Sequence, residues 1–205
     1  IAGLAAIINF VQTTTTTMGN ISQPGVINLS WIGAGNSIID TLVTVLYDMG
    51  FVVVAAAGNS GSSLEPCAYS PARAGQAITV GSTDRNDKKA GFSNYGNCVD
   101  IFAPGVDLTG ASATMNTGYI VDSGTSGSAP LVAGLAAVIY SREDYTSAEQ
   151  VTDLLRVIAY DVIVDLDNQS PNRLINFYPL VQLAILQDTL LDVTTDAGNR
   201  IVNVF

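Results

Sequence analysis

One short segment of the chain places a serine at the start of an apolar helix. Residues 121–134 read VDSGTSGSAPLVAG, and the apolar run continues to Tyr140. Ser126 falls in the first turn of the predicted buried helix, where free N–H groups and the helix dipole favour negative charge. A serine there can attack a carbonyl carbon while its own N–H stabilises the resulting oxyanion. The pattern indicates acyl transfer at Ser126, with simple capping of a core helix as the alternative.

The same segment also matches a second, unrelated catalytic pattern. Residues 122–125, Asp-Ser-Gly-Thr, match the Asp-Thr/Ser-Gly-Thr/Ser turn of aspartic proteases. That chemistry needs two carboxylates that share one proton, and the chain has one copy of the turn. A homodimer would be required, and the long apolar stretch after the turn is not typical of that family.

Composition restricts the remaining chemistry. The 205 residues include no histidine, so no imidazole of this chain can act as a base, proton shuttle or metal ligand. A net charge of −10 argues against a nucleic-acid partner. With 48% hydrophobic and 13% charged residues, the chain is predicted to be globular. No apolar run approaches the roughly 18 residues of a membrane span.

Strand and helix patterns alternate along the chain. β-Branched apolar runs predict strands at 25–31, 51–57, 77–82 and 99–103. The first two enclose a predicted helix that has Ser37 as its N-cap and Gly50 beyond its end. A helix capped by Thr146 and Glu149 follows the buried one. This order predicts an α/β fold with a parallel sheet.

The ordered motifs carry a family resemblance. GTSxxxPxVAG from Gly124 to Gly134 resembles the nucleophile segment of subtilisin-like serine proteases, and VAAAGN from Val54 to Asn59 resembles their oxyanion-hole turn. CAYSPAR, ITVGSTD, FSNYGNC, VDIFAPG and SPNRL follow in the order of the proteinase K-like branch. The resemblance covers 1–177 and implies a subtilisin-like parallel sheet flanked by helices, lacking the N-terminal strands. Residues 178–205 are expected to be a C-terminal extension of unknown role.

The resemblance also implies a set of site residues. Ser126 would be the nucleophile, and the Asn59 amide would be the second oxyanion donor. A peptide or protein substrate would lie along Ser30, Trp31, Gly33, Ala56, Ala57 and Gly58. Cys67 and Cys98 would form a disulfide, although two buried free thiols are the plain alternative. Calcium would be held by the Asp100 carboxylate and the carbonyls of Gly75 and Ala77, unless Asp100 is simply a surface acid.

Other family features are missing or altered. The family's catalytic aspartate and histidine motifs are absent, so the chain is predicted to be inactive alone. Without the N-terminal strands, strand 25–31 becomes an exposed edge that could pair with a second copy or an N-terminal fragment. Ile32 replaces a glycine beside which a substrate would pair, which puts peptide binding in doubt. Gly127 replaces a methionine, and Leu131 replaces a histidine.

The sequence leaves the origin and role of the chain open. Its apolar start, without Met, suggests a cut and a short helix facing a core. The two cysteines and the sequons at Asn20, Asn28 and Asn168 indicate secretion. The chain is interpreted as a fragment of a secreted subtilisin-like endopeptidase. The alternatives are a non-catalytic secreted binding or signalling protein on the same scaffold, and a nicked protease completed in trans by an N-terminal piece.

Overall fold

A parallel sheet of four strands organises the fold. The computed structural model describes residues 2–6, 8–9, 25–61, 66–114, 117–142, 147–167 and 169–179. The strands are β1 Gly25–Leu29, β2 Gly33–Ala34, β3 Phe51–Ala56, β4 Tyr69–Ser70, β5 Ala77–Thr83, β6 Ile101–Pro104, β7 Leu108–Ala111 and β8 Tyr119–Asp122. The helices are α1 Ser37–Asp48, α2 Thr125–Tyr140 and α3 Ala148–Val157, with a 3-10 turn at Pro66–Ala68.

The main sheet has the order β1-β3-β5-β6, and all its pairings are parallel. Strands β3 and β5 are buried along almost their whole length. Because both faces of such strands are covered, β3 is apolar throughout rather than alternating, and the buried hydroxyls of Thr79 and Ser82 in β5 are hydrogen-bonded. The prediction of an α/β fold with a parallel sheet is confirmed.

Helices cover the two faces of this sheet. Ile39, Val43 and Leu46 of α1 pack with Val53 and Ala55 of β3. Side chains alternate along a strand, so the other β3 residues point to the opposite face, where α2 packs across all four strands. At the end of α2, the Tyr140 hydroxyl donates to the Gly50 carbonyl at 2.6 Å. Burial raises the pKa of Tyr140 to about 12, which keeps it a donor.

Two predicted helix caps are wrong by one residue. The N-cap of α1 is Asn36, not Ser37, and its side chain accepts from the N–H groups of Ile38 and Ile39. For α3 the capping box joins Ser147 and Gln150, not Thr146 and Glu149. Thr146 itself lies outside the described residues. Adjacent residues with equal capping ability explain both shifts.

Two small antiparallel pairings were not predicted. β2 pairs with β4, and β7 pairs with β8 as an exposed hairpin. The first pairing ends β1 at Leu29, so the predicted strand to Trp31 is too long. The N-terminal helical segment at residues 2–6 and 8–9 places Leu4 in the core beside Leu29, as expected.

The chain divides into two compact units, Ile1–Ile175 and Asn176–Phe205. In the second unit only residues 176–179 are described, so most of the predicted extension at 178–205 lies outside the described residues. The sequons at Asn20 and Asn168 lie outside them as well. No helix within the described ranges is both long and apolar enough to cross a bilayer.

Candidate active site

Ser126 is the second residue of α2, and its side chain is exposed. The N-cap is Gly124, which offers no side-chain cap. The alternative that Ser126 merely caps this helix is therefore wrong. Among the described residues, none accepts from the Ser126 N–H or bonds its hydroxyl. An exposed hydroxyl and a free N–H at the positive end of a 16-residue helix are available to a ligand.

Asn59 follows β3 and is held by Thr125, the first residue of α2. Its Oδ1 accepts from both the N–H and the hydroxyl of Thr125, each at 2.9 Å. The Thr125 hydroxyl in turn accepts from the Gly58 N–H at 3.0 Å. Since Thr125 is buried, this network fixes the amide. With Oδ1 occupied, Nδ2 is left as a donor with no acceptor among the described residues.

The Ser126 hydroxyl and the Asn59 amide lie close together beside Gly124. A methyl group built on Gly124 would lie 3.1 Å from Asn59 Nδ2 and 3.1 Å from Ser126 Oγ, so these two atoms are at most about 6 Å apart. A carbonyl group bound beside them could meet the serine oxygen and the amide donor together, as addition of a hydroxyl to a carbonyl requires.

Asn94 clamps the turn that carries Asn59. Its fully buried side chain donates to the Ala57 carbonyl at 2.9 Å and accepts from the Ser60 N–H at 3.0 Å. Its N–H donates to the Gly58 carbonyl at 2.9 Å. The turn needs a glycine at 58, where φ is +99°. Asn94 lies in the FSNYGNC motif, 35 residues from Asn59, and nothing in that motif indicates its contact with the Asn59 turn.

The Ser30 side chain supports the backbone of Ser126. Pro130 has no N–H, so the carbonyl of Ser126, four residues earlier, lacks its intrahelical partner. The Ser30 hydroxyl donates to that carbonyl at 2.8 Å and accepts from Asn28 Nδ2 at 2.9 Å. Ser30 was predicted as a substrate-binding residue, and the structure makes its side chain a support for the turn containing Ser126. The proline four residues after Ser126 was the available sequence signal.

This arrangement gives a test by double-mutant cycle. Ser30→Ala is expected to lower the free energy of unfolding by about 1 kcal/mol, because the Ser126 carbonyl loses its donor. Pro130→Ala restores an N–H to that carbonyl, so in this background Ser30→Ala should cost only a few tenths of a kcal/mol. Urea unfolding of the four proteins measures the coupling. Equal costs in the two backgrounds would contradict the link between Ser30 and Pro130.

Two sequence departures are accommodated by packing. The Ile32 side chain reaches Gly58, where a built methyl group would lie 2.5 Å from Ile32 Cδ1. Ile32 therefore spans the space between the segments that follow β1 and β3, which we call the cleft. At Gly127 a built methyl group would lie 2.6 Å from Leu108 Cδ1, so Leu108 covers the position after Ser126.

The other residues that were predicted to bind substrate differ in exposure. Trp31 is exposed and lies near Gly33, whereas Ala56 and Ala57 are buried. Because β1 and β3 are parallel neighbours, the segments that follow them lie at the same end of the sheet. Their role in substrate binding stays a prediction.

The remaining predicted residues lie away from Ser126. Cys67 and Cys98 form a disulfide, and the described residues contain no free cysteine. Ala77 is buried at the start of β5, and Gly75 lines a small cavity together with Arg156. Asp100 forms an ion pair with Arg156.

The end of β3 leads to an amide that lies beside a serine at a helix N-terminus, an arrangement suited to serine acyl transfer. Comparison with known proteins makes this specific. A profile described as "Subtilase family" matches residues 11–178. An extracellular serine proteinase from Thermus sp. (strain Rt41A) is 41% identical over 157 residues, which are 76% of this chain and 38% of that protein. Alkaline serine exoprotease A from Vibrio alginolyticus is 42% identical over 137 residues, 66% of this chain and 25% of its own length.

A solved structure gives the same result. The crystal structure of a cold adapted subtilisin-like serine proteinase matches with a TM-score of 0.72 and 35% identity, covering 83% of this chain and 60% of that one. The chain belongs to the subtilase family, and it spans well under half the length of the two relatives above.

Proposed function

We propose that this chain supplies the nucleophile and the oxyanion-binding groups of a subtilisin-like serine endopeptidase, and that it has negligible peptidase activity alone. One observation carries the proposal. Ser126 Oγ and Asn59 Nδ2 lie close together beside Gly124, in a chain that contains no histidine. A serine hydroxyl without a base is a weak nucleophile at neutral pH.

The geometry supports a defined division of labour in peptide hydrolysis. Ser126 Oγ would bond to the peptide carbonyl carbon as its proton passes to a base supplied from outside this chain. The Ser126 N–H and Asn59 Nδ2 would hold the oxyanion. When the C–N bond breaks, the base would return the proton to the leaving amine. Water would then hydrolyse the acyl-serine ester by the same steps.

Covalent labelling tests the first half of this proposal. With a fluorophosphonate probe, we expect Ser126 to react at least ~10³-fold more slowly than the serine of an intact subtilase. Added imidazole should raise the labelling rate in proportion to its concentration, because the missing element is the base. Intact mass spectrometry measures the extent of labelling, and mapping of tryptic peptides then locates the adduct.

Two variants serve as controls for this experiment. Ser126→Ala should abolish labelling with and without imidazole. Asn59→Ala should lower the imidazole-supported rate by roughly 10²-fold, the usual effect of losing one oxyanion donor. Labelling of the unmodified chain at the rate of an intact enzyme without imidazole would refute the claim that activation is missing.

The sheet edge favours completion of the site in trans. Within the described part of the chain, β1 pairs only with β3, and its other edge is unpaired. Unpaired strand edges are templates for another strand. We propose that an N-terminal piece bearing the base pairs along β1, or that a second copy does so in its absence. Gel filtration followed by denaturing electrophoresis of natural material distinguishes a second piece, a homodimer and a monomer.

The disulfide supports a secreted origin, because such bonds persist in oxidising compartments. One of the relatives is named an extracellular proteinase, in keeping with this proposal. Peptides or proteins would be the substrates of the completed site. Fractionation of the source organism, with detection in the medium or in the cells, tests the location.

A further inference from the structure

A small cavity of about 180 Å³ lies away from the serine site and is lined by Tyr47, Gly75, Gln76, Thr152 and Arg156. Arg156 also contacts Asp100, which is the carboxylate that the family resemblance assigns to calcium. The two side chains are 31% and 24% exposed. The Asp100 carboxylate therefore lies next to a cation of the chain itself.

Both oxygens of the Asp100 carboxylate already have partners. Arg156 Nη2 donates to Oδ1 at 2.9 Å, and the Thr79 N–H donates to Oδ2 at 2.9 Å. The Asp100 N–H returns a hydrogen bond to the Thr79 carbonyl at 2.8 Å. The carboxylate is thus fixed to β5 on one side and to a guanidinium on the other.

Arg156 is well placed to be a permanent partner. It lies in the last turn of α3, where the helix dipole favours a cation. Its second carboxylate contact, from Nη1 to Asp153, is longer at 3.5 Å, and Asp153 is 64% exposed. An exposed pair of this kind contributes little, so the half-buried contact to Asp100 dominates.

The donor set does not suit calcium. A calcium ion requires six to eight oxygen ligands at 2.3–2.6 Å, and carboxylates are the strongest of them. Here the single carboxylate gives one oxygen to an N–H and the other to a guanidinium. A dication at Oδ1 would have to displace Arg156 and then lie beside its positive charge.

We propose that Arg156 takes the place of the calcium ion at Asp100, so that the fold around β5 and β6 is stabilised without metal at this position. The chain carries its own counter-ion on α3. Stability should then depend on the Arg156–Asp100 pair and not on the concentration of calcium.

The experiment is thermal unfolding of the 205-residue chain in EDTA and in 5 mM CaCl₂, together with calcium titration calorimetry. We expect the melting temperature of the unmodified chain, and that of Asp100→Asn, to be the same in EDTA and in calcium within about 1 °C. A calcium-dependent rise present in the unmodified chain and lost in Asp100→Asn would overturn the proposal. So would calorimetric binding that Asp100→Asn abolishes.

Variants of the arginine give the second measurement. Arg156→Gln and Asp100→Asn should each lower the melting temperature by roughly 3–6 °C, and the double variant should lose little more than either alone. Asp153→Asn is the matched control and should change it by less than about 1 °C. An Arg156→Gln shift no larger than that of Asp153→Asn would overturn the proposal. If the variants do not fold, the calcium comparison of the unmodified chain still decides, because a calcium-stabilised melting temperature or stoichiometric binding would refute it.

Discussion

Replacement of Cys67 and Cys98 together by serine is expected to lower the free energy of unfolding by roughly 3–4 kcal/mol. The disulfide closes a loop with a sequence separation of 31, and this is the chain-entropy contribution for a loop of that length. For a chain of about 200 residues the melting temperature should fall by roughly 7–15 °C. Differential scanning calorimetry of the double variant and the oxidised protein measures the difference.

The disulfide links the segment before β4 to the segment before β6. Cys67 lies in the 3-10 turn that precedes β4, and β4 pairs with β2, just beyond the Ser30–Ile32 segment. Cys98 lies two residues before Asp100. The bond therefore joins the cleft side of the fold to the Asp100–Arg156 pair.

A reduced sample separates the loss of the bond from the change of side chain. The unmodified protein in excess reductant should unfold at nearly the same temperature as the double serine variant. If the double variant loses less than about 1 kcal/mol, the loop-entropy explanation fails for this fold. If only the variant is destabilised, the serines rather than the missing bond are responsible.

The main strands were predictable because their physical requirement is simple. A strand covered on both faces carries few unpaired polar side chains. FVVVAA has no polar side chain, and in AITVGST the buried hydroxyls of Thr79 and Ser82 are hydrogen-bonded. The ends were less predictable. Trp31 continues the β1 pattern, but the chain leaves the sheet to pair Gly33 with Ser70 in β4, and only that distant partner sets the end.

The caps were shifted for a related reason. Asn36 and Ser37 are both good N-caps, and Asn36 is selected because its N–H is held by the Ser70 hydroxyl at 2.8 Å. Such a contact depends on residues 34 positions apart. Local patterns predict that α1 exists, but tertiary contacts determine the residue at which it begins.

The proximity of Ser126 and Asn59 was predictable because its signals are local. Each residue lies in a short motif at an element boundary, and the structure brings the two side chains close together beside Gly124. The contacts that position them were missed because the residues that make them are distant in sequence. Ser30 reaches the Ser126 carbonyl across 96 residues, and Asn94 reaches the Ala57 carbonyl across 37. Pro130 signals that the Ser126 carbonyl needs another donor, but no local spacing identifies that donor.

The Ile32 side chain spans the cleft to Gly58. Ile32→Gly should clear this space, so that an extended peptide can lie beside the segment after β1 and pair with its backbone. We expect the affinity for a short apolar peptide amide to rise at least about tenfold, which corresponds to about 1.4 kcal/mol.

Trp31 provides a built-in reporter for this binding. It is the only tryptophan of the chain, it is 41% exposed, and it precedes Ile32. Titration of the peptide should shift and quench Trp31 fluorescence in Ile32→Gly at concentrations that leave the unmodified chain unchanged.

Graded variants at the same position separate cleft opening from loss of order. Ile32→Leu keeps the volume and should bind as weakly as the unmodified chain, whereas Ile32→Ala should be intermediate. Melting temperatures of all variants identify any that lose the fold, and binding is compared only among folded ones. If Ile32→Gly is folded and binds no better than Ile32→Leu, the isoleucine does not obstruct the cleft. A rise in affinity that follows the volume removed would instead identify Ile32 as the residue that closes the cleft beside Ser126, because no other side chain changes in the series.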